Sequence, residues 1–338
     1  MAINTSAYSP KQFSFLIAMQ DDWGTINPDS SGSPDNPWLA VDVDSVGSPS
    51  LNLNQTLDPK TGSRVLQATD FFQDKLNKVI ELSVSGTATT EVLAVLLGNI
   101  TQGDTVPYLI TSAGAVQNLS SATANQTANQ ILSIAYKSPA SGHAVGLKDC
   151  FCTAISFNGD AGTEGGRVKF SATFKTGSAP ILNQADIAID TAITSNNYYM
   201  SGWDADDRII AGHANMLVNS FTLNIENDVT FAGLTAAGFE SASRVSEVSA
   251  TADFNVKYDD NTDVMFENFH DQATGASEGA TLMATDTTPS NGEFEFKLAG
   301  SVITSVAFSE GDMMSLDVSV KAVGSGIGSS TALFEVAC

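Results

Sequence analysis

Basic residues are scarce in this sequence. Lysine and arginine together number 15 against 38 aspartates and glutamates, a formal net charge of −23 over 338 residues. Nucleic-acid-binding surfaces work by replacing phosphate counterions with Lys and Arg, so a chain this acidic should repel DNA and RNA. The imbalance is uneven: residues 1–180 hold 15 acidic and 10 basic groups, residues 181–338 hold 23 and 5. Acidity of this kind also serves solubility or life in a salty medium. Long apolar runs are missing too. The longest, Val92 to Leu97, is a third of the ~18 residues that a membrane-spanning helix needs. Phe15–Met19 near the N-terminus lacks a basic flank and a small-residue cleavage site, which makes a poor secretory signal and points to a cytoplasmic chain.

Cysteine and histidine are equally sparse, at three each. Cys150 and Cys152 lie two apart in an extended stretch, so both side chains leave one face of a strand and are poorly placed to bridge each other. No second Cys pair accompanies them, and His143, His213 and His270 are scattered. Both cysteines read as small apolar core residues rather than metal ligands, and Cys338 as the last residue carries no signal.

Catalytic motifs are absent as well. There is no GxSxG elbow, no nucleophile near His143 or His213, and no GxxxxGK[ST] phosphate loop. Gly324, Gly326 and Gly328 lack the βαβ context of a dinucleotide site and read as a turn. Asp259, Asn261 and Asp263 begin like a calcium loop, but Val264 stands where that loop needs Gly and His270 where it needs Glu, so a helix cap is the better reading. Asp204, Asp206 and Asp207 read as a solvated loop. Trp23, Trp38 and Trp203 fall outside the alternating strands and form no sugar platform. The sequence therefore points to a non-enzyme, with no catalytic, cofactor-binding or metal-ligating residue.

Alternation is what the sequence has. Ile80, Leu82 and Val84 alternate with Glu81, Ser83 and Ser85, the period of a half-buried strand. Thr89 or Thr90 can cap a short helix from Glu91 to Leu97, with Gly98 as its stop. The same pattern returns 172 residues later without a gap. Ala252, Phe254 and Val256 alternate with Asp253 and Asn255, Asn261 or Thr262 takes the capping place, and Asp263–Phe269 gives the helix. Ser-Arg-Val stands upstream of both, at 63–65 and 243–245. Cys152–Phe157 and Ile303–Phe308 then open two hairpins with acidic Gly-containing turns. Their return strands alternate through Val168, Phe170, Ala172 and Phe174, and through Met314, Leu316, Val318 and Val320. The same elements in the same order indicate duplication.

The organisation expected is all-β, mainly antiparallel, with short helices, in two units of about 150 residues or less. Residues 46–180 form the first unit, 217–338 the second, and 181–216 connect them. Residues 1–45, rich in Pro, Ser and Asp after a strand at Phe13–Met19, read as an arm that cannot bury its own core and orders against a neighbouring subunit.

The loop-rich arm, the strand leading to a short helix and the later hairpin resemble the tail tube (major tail) proteins of long-tailed bacteriophages. The likeness lies in SRV…KVIELSVSGTATTEVLAVLLGN with LKDCFCTAISFNGDAGTEGGRVKFSATF, and in SFTLNIEND…SRVSEVSATADFNVKYDDNTDVMF with FEFKLAGSVITSVAFSEGDMMSLDVSV. It implies β-sandwich or half-barrel units that contribute strands to a shared ring barrel. It also implies stacked rings forming a hollow tube, a virion location after assembly in a host cytoplasm, other tail proteins as partners, and DNA passing through the bore without specific binding. Such rings are six-fold, so a chain with two units would close as a trimer with pseudo-six-fold symmetry rather than a hexamer. Glu81, Ser83, Ser85, Glu247, Ser249, Thr251, Asp253 and Asn255 are the expected bore-facing residues, on a face with acid and little base. The competing reading is a cell-surface or adhesin-like β-sandwich that binds glycan or protein.

Overall fold

In a strand, successive side chains point to opposite faces, so the apolar members of an alternating run must find a common cover. A computed structural model of the chain describes residues 12–20, 22–26, 38–41, 43–46, 50–51, 55–57, 65, 71–73, 79–101, 116–120, 131–137, 144–184, 198–199, 210, 216–235, 238–244, 247–270, 280–286, 293–298, 301–311, 313–323 and 332–337. Ile80, Leu82, Val84, Ala252, Phe254 and Val256 are all buried in it, in one core that runs through both halves of the chain.

The fold is all-β and antiparallel, with two short helices among the described residues. In chain order the first half contributes β1 (Ser14–Gln20), β2 (Leu39–Val41), β3 (Val43–Val46), β4 (Ser50–Leu51), β5 (Gln55–Leu57), β6 (Phe71–Gln73) and β7 (Ile80–Thr87). Helix α1 (Thr90–Thr101) follows, then β8 (Val116–Ser120), β9 (Ile131–Lys137), β10 (Ala144–Asp160), β11 (Lys169–Thr176) and β12 (Ile181–Gln184). The second half holds β13 (Tyr198–Tyr199), β14 (Val218–Glu226), β15 (Thr230–Leu234), β16 (Phe239–Ser243) and β17 (Ser249–Lys257). Helix α2 (Asp260–His270) leads to β18 (Ala280–Asp286), β19 (Glu293–Leu298), β20 (Ser301–Ser309), β21 (Ser315–Ala322) and β22 (Ala332–Ala337).

Strands from both halves join one 13-stranded sheet. Its hub is β10. The first part of that strand pairs with β9 and β12, while the last part pairs with β11 on one side and β14 on the other. Through this last part the order runs β7, β11, β10, β14, β17, β21, β20, with β3 and β4 beyond β7. The pairing repeats along that path. Val46 faces Val84 and Leu51 faces Ile80, just as Val218 faces Val256 and Leu223 faces Ala252, each residue 172 positions further on. The hairpins β10–β11 and β20–β21 each bulge at one threonine. Thr153 Oγ1 donates to the Thr173 carbonyl at 3.2 Å and Thr304 Oγ1 to the Ser319 carbonyl at 3.1 Å. A second sheet, in the order β13, β18, β19, β22, β8, sends Phe296 and Leu298 into the same core. Two small hairpins, β5–β6 and β15–β16, precede β7 and β17. The second is seated by Gly177, where any side chain would strike the rings of Phe231 and Phe239.

Three expectations need correction. Ser14–Gln20 is not part of a free arm: it pairs along its whole length with β9 and is buried on both faces. Phe15, Ile17 and Met19 enter the main core, while Leu16 and Ala18 meet a fully buried Trp38. Residues 1–11 and 27–37 of the expected arm lie outside the described residues. Helix α1 does not stop at Gly98 but continues to Thr101, because Asn99 and Ile100 are buried against the sheet, and packing there outweighs the stop signal. Helix α2 likewise begins earlier than expected, at Asp260. Thr262, inside its first turn, reaches back to accept from the Asp259 N–H at 2.8 Å.

The two hairpins differ in cover, and this sets a stability test. Phe157 on β10 is 0% exposed, and its counterpart Phe308 on β20 is 46% exposed. Phe157→Ala should cost about 3–5 kcal/mol in urea unfolding of the monomer, whereas Phe308→Ala should cost about 1 kcal/mol or less. Equal losses would contradict the described packing.

Candidate functional site

Along β7, β11, β10 from Ala154 onward, β14, β17 and β21, the face of the main sheet opposite the core is mainly polar. Around β1, β2 and β9, by contrast, Leu16, Ala18, Trp38, Ala135 and Ala144 are buried on that side. Register carries the residues of one strand onto the next: Ser83 faces Thr173, Thr173 faces Ala154, Ala154 faces Glu226 and Glu226 faces Ser249. Facing residues share a side of the sheet. Glu81, Ser83 and Ser85 on β7 therefore lie on the same surface as Ser249, Thr251, Asp253 and Asn255 on β17, four strands away. The structure thus brings together seven of the eight sequence-derived positions. Glu247 just precedes β17 and is largely exposed, reaching Lys321 at 3.7 Å.

Side chains on this surface bind one another across strands. Ser45 and Ser85 share a hydrogen bond of 2.9 Å. Asn219 donates to Asn255 at 2.8 Å, and Asn255 donates to Asp317 at 2.6 Å and Ser315 at 3.0 Å. Ser319 donates to Asp253 at 2.5 Å. Lysines are interleaved with the acid on this face. Asp44, Glu81, Asp160, Glu226, Asp253 and Asp317, with Glu164, Asp228 and Glu247 bound to the lysines, stand against Lys169, Lys175, Lys257 and Lys321. Lys169 lies 3.3 Å from Asp44 and 3.1 Å from Glu164, and Lys175 lies 2.8 Å from Asp228. The face is thus a mixed, internally bonded polar wall with acid in excess. Lys257 is legible from the periodicity of β17 itself, but that periodicity says nothing of Lys169, Lys175 and Lys321, which β11 and β21 bring alongside.

Two buried polar clusters hold β10 where it changes partners. Asp149 adopts a left-handed φ of 54°, a conformation rare for residues other than glycine. Its carboxylate accepts from Gln20 Nε2 at 2.6 Å, the Gly24 N–H at 2.7 Å and Ser178 Oγ at 2.5 Å. Gln20 in turn accepts from the Asp149 N–H at 2.9 Å and from Ser133 at 3.0 Å. Further along, Arg244 from the repeated Ser-Arg-Val joins the end of α1 to the second bulge. It donates to Asn99 Oδ1 and the Asn99 carbonyl, both at 3.1 Å, to the Cys152 carbonyl at 2.9 Å, and to the Asn227 carbonyl. Asn227 donates to the Ile100 carbonyl at 2.8 Å, and Asn99 accepts from the Cys152 N–H at 2.7 Å. A cation on the last carbonyls of a helix is favourably placed in its dipole field. Burial pulls the Arg244 guanidinium down to about 10, so it stays charged at neutral pH. Arg64, its counterpart in the first Ser-Arg-Val, lies outside the described residues.

Among the described residues no three His, Cys, Asp or Glu side chains gather where they could hold a metal ion, and no helix is long and apolar enough to cross a membrane. His143, His213, Trp203 and the Asp204–Asp207 knot lie outside the described residues. Asp259 and Asp263 serve the start of α2, Asp263 accepting from the Tyr258 hydroxyl at 3.0 Å.

Cys150 and Cys152 are both free and buried. Burial pushes both thiols up, Cys152 to about 12 and Cys150 higher still, with Asp149 adding to the Cys150 shift. Both thiols therefore stay neutral when folded, while in the unfolded chain they ionise from about pH 8.5. Stability should fall as pH rises above that value, and native protein at pH 8 should leave both thiols unlabelled by a thiol reagent until denaturant is added. Fast labelling of Cys150 or Cys152 in native protein would contradict this burial. No protein-family model matches the chain, and no curated protein matches it.

Proposed function

We propose that this chain is a non-enzymatic structural subunit that assembles into the hollow tail tube of a long-tailed bacteriophage, its polar sheet face lining the bore. The observation that carries this proposal is the single continuous sheet. Along its duplicated path it repeats one strand order twice, with an apolar side and a hydrogen-bonded polar side, and among the described residues β3, β4 and β20 each have a neighbouring strand on one side only. Such edges invite further pairing, and closure into a ring removes them. The sequence likeness to tail tube proteins supports the same assignment.

The charge pattern suits passage of DNA. Binding to DNA grows with the number of phosphates neutralised by Lys and Arg, and here Lys169, Lys175 and Lys321 are each held by carboxylates. A wall already bonded to itself gives the polyanion little to grip. With two wedges per chain, a ring closes as a trimer with pseudo-six-fold symmetry.

Purified protein viewed by electron microscopy should show rings or tubes of three chains per ring. Six chains per ring would contradict the wedge count, and persistent monomers would favour the adhesin-like alternative. Glu81, Glu247 and Asp253 are exposed, so replacing all three with Lys should leave assembly intact at a small folding cost. The variant tubes should retain DNA, and retention should fall steeply with salt as released counterions compete. Intact variant tubes that hold no more DNA than wild type would show that this face does not line the channel.

A further inference from the structure

The interior of the chain contains a template for contact between chains. Strand β10 closes one side of its hairpin against β11 and the other against β14. Its counterpart β20 pairs with β21 and, among the described residues, with no other strand. Strand β14 lies between β17 and β10, yet its counterparts β3 and β4 pair with β7 alone among the described residues. Each element thus has a partner on one side that its duplicate lacks, and the two open sides are complementary.

The surface beside the open β20 edge is apolar. Phe308, 46% exposed, meets Tyr258 at 5.4 Å and Phe266 of α2 at 5.1 Å between ring centroids. Met314, 54% exposed, and Phe269, 39% exposed, are further apolar residues at the start of β21 and the end of α2. In the first hairpin Phe157 has Leu223 of β14 as its register partner and is 0% exposed. Leu97 of α1, the counterpart of Phe269, is 0% exposed as well. The apolar positions are closed where the neighbouring repeat is present and open where it is not.

We propose that β20, with the aromatic patch of Tyr258, Phe266 and Phe308, is the docking site for the β3–β4 edge of a second copy of this chain, antiparallel and in the register of the β10–β14 junction. That register places Phe157 opposite Leu223 and Asn158 opposite Thr222. Carried to the duplicate strands, it places Phe308 opposite Leu51 of the second copy and Ser309 opposite Ser50. The contact is head-to-tail, so each chain offers one open edge and accepts another, which propagates or closes a ring. The assembly expected under the tube proposal supplies the setting, but the choice of strands and register comes from the internal junction alone.

The test uses full-length chains carrying Cys338→Ser, with either Ser50→Cys or Ser309→Cys. Mixed and oxidised, the two variants should form a covalent dimer about tenfold above either variant alone, because docking raises the local thiol concentration to the millimolar range. Phe308→Asp added to the Ser309→Cys chain should abolish that dimer while circular dichroism shows the fold retained. Rings or tubes without the mixed dimer would overturn this interface and leave the tube proposal standing. Monomers without the dimer would overturn both. A dimer that survives Phe308→Asp would remove the aromatic patch from the site.

Discussion

The backbone pairing of β10 with β14 is the contact on which the rest of the structure depends. Seven residues, Ala154 to Asp160, lie opposite Ser220 to Glu226. This ladder fuses the two halves of the chain into one sheet and gives them a common core. It also sets both polar faces on the same side, since side chains in register share a face and a one-residue slip would turn one half over. Without it each half would carry an open strand edge and a half-covered apolar layer.

For β10 to make that contact, it must leave β9 and take new neighbours midway. The change occurs over a few residues, with register shifts between Leu147 and Cys150 against β9 and between Cys152 and Ala154 against β11. Bulges leave backbone groups out of the ladder, and such groups are costly when buried unless something else bonds them. Gln20, Ser178 and Gly24 bind the Asp149 carboxylate, while Asn99, Asn227 and Arg244 serve the Cys152–Thr153 stretch and the end of α1. The Asp149 cluster ties together elements of the first half, while Arg244 and Asn227 carry the second cluster across from the second half to α1 and β10. Removing one partner from such a network strands the others, which makes the network a specifier of one arrangement.

The half-buried strands were legible from their alternation. Of the strands buried on both faces, β1 could be read as a strand but not placed in the core, and β9 could not be read at all. Ile80–Val84 and Ala252–Val256 alternate because one face meets the core and the other does not, and their offset of 172 survives in the pairing registers. Strands β1 and β9 carry apolar residues on both faces, so Ile131–Lys137 shows no period-2 signal and went unassigned. The helix end at Gly98 was misplaced because a glycine marks a stop only where tertiary packing does not reward continuation, and Ile100 does reward it. Of the candidate site, the serines and carboxylates on β7 and β17 could be read from spacing. The lysines beside them on β11 and β21 could not, because the neighbours of a strand are set by topology rather than by local sequence. Arg244 stood out as part of a repeated tripeptide, but a sequence offers no means of seeing that it reaches back 145 positions to Asn99.

If duplicate strands do differ only in whether a neighbour is present, that difference should vanish on assembly. Hydrogen–deuterium exchange measured on monomer and on assembled particles reads this strand by strand. In the monomer the amides of Ala154–Asp160 should be protected and those along the outer edge of Ser301–Ser309 should exchange. In the assembled state Ser301–Ser309 should slow to match Ala154–Asp160. Unchanged exchange in Ser301–Ser309 after assembly would contradict the account.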